Sequence, residues 1–73
     1  MQNDQTRLAE FFSSVIEEYK VLHHLSGADA ANLLNRSGAL DFLEDGYEML
    51  HTQSLAYIVN EVEGYMKKRG AVK

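Results

Sequence analysis

The side chains best suited to ligating a metal or moving a proton are His23, His24 and His51 and the carboxylates Asp41, Glu44, Asp45 and Glu48. A helical metal site needs ligands three or four residues apart on one face, and the adjacent His23 and His24 point about 100° apart. The carboxylates crowd each other. On a helix Asp41, Asp45 and Glu48 share a face, as do Glu44 and Glu48. A calcium loop alternates oxygen ligands around a glycine in a turn, and the order DFLEDGYE does not. The serines fall at helix or cap positions, nothing resembles a nucleophile with its general base, and no glycine-rich phosphate loop is present. The expectation is therefore a protein without catalytic residues, metal or cofactor. Its acids form either a solvated face or a docking surface for a basic partner.

The frame holding these residues is small. Seventy-three residues make one domain, 1–73, which buries only about 60% of its unfolded surface. With no cysteine there is no disulfide or cysteine–metal staple, so stability must come from helix packing or from association with another chain. No run of 18 apolar residues and no basic-then-apolar leader occurs. The expectation is a cytoplasmic protein with no membrane association. Net charge is −4, unevenly placed: up to Met66 eleven carboxylates face three bases, and Lys67, Lys68, Arg69 and Lys73 then reverse the sign. An acidic body disfavours nucleic acid, whose phosphates need a basic face, and suits a basic protein surface.

Periodicity predicts an all-α, compact bundle of about four helices with a helix-turn-helix-like middle, the helices near 4–25, 28–36, 39–50 and 53–69. Leu8, Phe11, Phe12, Val15, Ile16, Tyr19 and Leu22 recur at i, i+3, i+4, i+7 on the first, behind an N-cap at Asp4 or Asn3. Ser26 with Asp29 three residues on reads as a capping box opening the second, and Gly38 falls at its C′ position. Thr52 or Ser54 caps the last helix. Its stripe is Leu55, Ile58, Val59, Val62, Tyr65 and Met66, with Lys67, Lys68 and Arg69 at the negative end of its dipole.

The segment 39–50 is apolar on two sides: Leu40, Leu43, Tyr47 and Leu50 form one stripe, and Phe42 and Met49 lie nearly opposite. A helix with two apolar faces must be covered twice, either by its own small domain or by another chain. Gly46 costs about 1 kcal/mol in mid-helix, and a break there would cancel the phase relation. Tyr57 lies on the polar side of the last helix. Phe42, Met49 and Tyr57 are the expected apolar anchors of an interface, with Asp41, Glu44, Asp45 and Glu48 as its acids.

Ser26-Gly27, Leu33-Leu34, Ser37-Gly38, Asp41, Leu43, Tyr47, Leu50-His51-Thr52, Tyr57-Ile58-Val59 and Tyr65 together resemble the pattern of a family of short, all-helical bacterial proteins of unknown function. Leu-His-Thr followed by Tyr-Ile-Val is its most specific part. Gly46 departs from it, standing where other members more often carry a polar helix former. Such proteins are often encoded beside a larger toxin resembling ADP-ribosyltransferases. The resemblance thus implies an antitoxin-like or accessory component of a toxin–antitoxin or phage-defence locus, with the co-encoded toxin-like protein as partner. It carries over no catalytic residue, but adds weight to Asp41, His51 and Tyr57, and His51 joins the candidate protein-binding residues on that ground. His51 reads equally as a cap donating to a helix-end carbonyl, and that structural role is the one expected.

Two alternatives stand beside protein binding. The first is a helix-turn-helix regulator of its own promoter, which would need a recognition helix less acidic than 39–50. The second is a homodimeric structural protein.

Overall fold

A computed structural model describes residues 4–70, and these form five helices. α1 spans Asp4–His23, α2 Gly27–Arg36, α3 Ala39–Asp45, α4 Tyr47–Leu50 and α5 Leu55–Lys68, with no strand among the described residues. The expected all-α architecture is present, with one more helix than predicted. The N-cap expected at Asp4 or Asn3 lies outside the described side chains.

The extra helix arises at Gly46, where the backbone turns to φ −98°, ψ 11° and serves as C-cap of α3 and N-cap of α4. Glycine's high backbone entropy makes it a weak link in a helix. The predicted helix 39–50 is therefore two, and its two stripes are not two faces of one cylinder. Leu43 and Leu50 enter the core, with Leu40 and Tyr47 packed partly against it. Phe42 is also half-buried, stacked on Tyr65 of α5 with ring centroids 4.6 Å apart. Met49, on α4, remains 80% exposed.

The caps were more legible. The Ser26 hydroxyl accepts from the Asp29 N–H at 3.0 Å, opening α2. Ser54, rather than Thr52, opens α5 by accepting from the Tyr57 N–H at 3.1 Å. Between α2 and α3, Ser37 is buried but satisfied: its hydroxyl donates to the Leu34 carbonyl and accepts from the Ala39 N–H. Gly38 follows in the left-handed region at φ +85°, redirecting the chain into α3.

Two residues short of its expected end, α1 stops by a Schellman turn. The Leu25 N–H donates to the Lys20 carbonyl at 3.0 Å and the His24 N–H to that of Val21 at 3.4 Å. His24 occupies the C′ position at φ +56°, where glycine is usual. As His24 is exposed, His24→Gly is expected to raise stability by about 1 kcal/mol through relief of left-handed strain, seen as a higher thermal unfolding midpoint. An unchanged or lower midpoint would contradict this geometry. The early stop leaves Leu22, predicted on the core stripe, 53% exposed beside Val21 at 64%.

The core is one cluster. Val15 and Tyr19 from α1, Ala30 and Leu34 from α2, Ala39 and Leu43 from α3, and Ile58, Val59, Val62 and Met66 from α5 are all buried. α1 packs on both α2 and α5, while α3 is held between α2 and α5. This scaffold leaves the outward sides of α3, α4 and α5 facing solvent.

Candidate protein-binding surface

α3 and α4 project the acids outward. Asp41, Glu44, Asp45 and Glu48 are all exposed, and none has an ion-pair partner among the described residues. Glu44, Asp45 and Glu48 rim an open concavity of about 220 Å³, to which Leu8, Tyr47 and Arg7 also contribute. Asp41, one turn earlier on α3, does not line it. Nothing in the sequence pattern marked Leu8 and Tyr47 as part of this surface. They sit on core stripes, and only the fold shows that each remains partly uncovered.

Tyr47 is fixed from two sides. Phe11 meets its ring edge-on at 5.1 Å and 86°, and the His51 imidazole stacks on it at 4.6 Å and 11°. His51 also caps α4: Nδ1 lies 2.8 Å from the Tyr47 carbonyl oxygen, a contact that assigns the ring proton to Nδ1 as donor. This is the structural role expected for His51. The Thr52 hydroxyl adds a 3.5 Å contact to the Met49 carbonyl.

The three expected apolar anchors separate. Met49 is 80% and Tyr57 47% exposed, whereas Phe42 leans on Tyr65, which in turn lies beneath the Arg69 guanidinium at 5.5 Å. Phe42, expected as an anchor, is thus half-buried against α5 while still lining an open concavity. The packing of α3 against α5 brings Phe42 onto Tyr65.

The histidines do not converge. No group of three or more His, Asp or Glu side chains is arranged to hold a metal among the described residues. His23 instead makes a 2.6 Å contact with Glu63, joining α1 to α5 across 40 positions, and stacks on Tyr19 at 4.2 Å. Burial pushes the Tyr19 phenol pKa above its ordinary value, and the Glu63 carboxylate adds to the rise, so the hydroxyl stays protonated. Sequence spacing gave no sign of this link, since neither residue repeats with the other on any one helix.

With this geometry described, comparison with known proteins adds one match. A family model described as a protein of unknown function, DUF3791, covers residues 10–69. The chain belongs to the DUF3791 family. The match takes in α2 to α5 and most of α1, so the exposed acids, Met49, His51 and Tyr57 of this DUF3791 protein all lie inside it. No curated protein and no solved structure matches the chain. No helix of the described residues is long and apolar enough to cross a membrane.

Proposed function

We propose that this chain is a small protein-binding module, the antitoxin-like or accessory component of a toxin–antitoxin or phage-defence locus, which docks onto its co-encoded partner through α3 and α4. The observation that carries the reading is the concavity lined by Leu8, Tyr47, Glu44, Asp45 and Glu48, whose three carboxylates outnumber the one cation there, Arg7. A lysine or arginine entering it would lay its methylene stem on apolar surface while its cationic head meets carboxylates, and both parts of such a side chain gain from that arrangement. Met49, beside the rim in sequence, supplies unbranched apolar surface that adapts to a partner. Tyr57 adds an aromatic anchor of the kind enriched at binding hot spots.

The helix-turn-helix alternative draws less support. α3, in the position of a recognition helix, is seven residues long and carries Asp41, Glu44 and Asp45 without a base, so phosphates would repel it.

The test is co-expression with the product of the neighbouring reading frame. Wild-type protein is expected to co-purify with it, and Glu44→Lys/Asp45→Lys is expected to lose it while keeping its helical circular dichroism, because both side chains are exposed. Met49→Ala/Tyr57→Ala should weaken the complex with the same retention of fold. Phe42 is left intact, since its removal would disturb the Tyr65 stack. Undiminished co-purification of the double lysine variant would rule the reading out.

A further inference from the structure

The outward side of α5, which also carries Tyr57 of the proposed docking surface, holds a second pattern further along the helix. Gly64 sits in the middle of this 14-residue helix, exposed, and a Cβ added there would meet nothing within 4 Å. Glycine inside a helix is worse than alanine by roughly 1 kcal/mol, and nothing in the chain's own packing requires it. The residues three and four positions to either side share its face: Asn60 and Glu61 before it, Lys67 and Lys68 after it. A shallow concavity of about 400 Å³ lies over this stretch, with Phe42 and Tyr65 among its walls. Glu61, Lys67 and Lys68 have no ion-pair partner among the described residues, and Glu63 is paired with His23.

The arrangement is self-complementary when reversed. In an antiparallel pair of helices related by a two-fold axis at Gly64, each flank of one helix meets the same flank of the other. Glu61 and Lys68 share one flank, and Asn60 and Lys67 share the opposite one. Glu61 of one copy then faces Lys68 of the second, and Asn60 faces Lys67, each within about one residue rise (~1.5 Å) along the axis. The two-fold repeats both contacts, and the missing side chain at Gly64 lets the helices approach closely at their crossing. A parallel pair would instead set the Lys67–Lys68 clusters side by side. An isologous interface of this kind is the commonest form of self-association.

We infer that this protein self-associates as an antiparallel dimer through α5, crossing at Gly64. The inference does not rest on the proposed partner, although Tyr57 shares the Gly64 face of α5, and its test needs only this chain. Sedimentation equilibrium of the full-length protein should show the average mass rising with concentration from the 8.3 kDa of one chain toward twice that value. Gly64→Leu is expected to remain at one-chain mass throughout, with a thermal midpoint no lower than that of wild type measured as a dilute monomer. Glu61→Lys and Lys68→Glu are each expected to abolish the mass increase, and Glu61→Lys/Lys68→Glu to restore it. A wild-type protein monomeric up to its solubility limit would overturn the inference. So would a dimer that survives Gly64→Leu, or a charge exchange that fails to restore association.

Discussion

Leu43→Ala is expected to lower stability by roughly 2–5 kcal/mol and the thermal midpoint by at least about 10 °C. Leu43 is fully buried, at 0% exposure, in the helix held between α2 and α5. Its loss removes the transfer energy of the side chain and leaves a cavity the short α3 cannot collapse around without moving Phe42 off Tyr65. A domain of this length has on the order of 4–11 kcal/mol in total, so the variant approaches the unfolding threshold at growth temperature. Chemical denaturation followed by circular dichroism measures the loss directly. A loss below about 1 kcal/mol, the range typical of surface substitutions, would show that α3 is not held in the core as described.

The second large effect is at Gly38. Its φ of +85° places an L side chain in the left-handed region, at about 1–2 kcal/mol. An added Cβ would also stand 3.0 Å from the Tyr65 hydroxyl and 3.5 Å from Arg69 Nε. Gly38→Ala is therefore expected to destabilise by about 2 kcal/mol, because the strained turn and the displaced Tyr65 act at the same joint. That joint sets how α3 leaves α2, so the variant should also disturb the acidic surface, visible as altered amide shifts across α3. Wild-type stability for Gly38→Ala would contradict the left-handed turn.

Much of this fold was legible in the sequence because its devices are local. The i, i+3, i+4 stripe from Phe11 to Tyr19 became the buried face of α1. Ser26 caps as its neighbours implied, Ser54 is the one of the two expected caps that opens α5, and Gly38 stands where a left-handed residue was needed. What escaped depends on tertiary packing or on an atypical residue. His24 ends α1 in a conformation its side chain does not favour, so no glycine announced it. The reach of His23 to Glu63 spans separate helices. Phe42 shares the phase of an exposed position, and its stack on Tyr65 depends on how α3 packs against α5. The acids were readable as exposed, whereas the Leu8–Tyr47 lining between them required the folded arrangement of α1 and α4.

The most direct measurement of the central claim is calorimetric titration of the neighbouring gene product into wild-type protein and into Glu44→Lys/Asp45→Lys, each at low and high salt. Saturable binding by the wild type, weakened by salt and lost in the variant, is the expected result, because ionic attraction to exposed carboxylates is screened. Equal affinity for both proteins, or binding indifferent to salt, would contradict it.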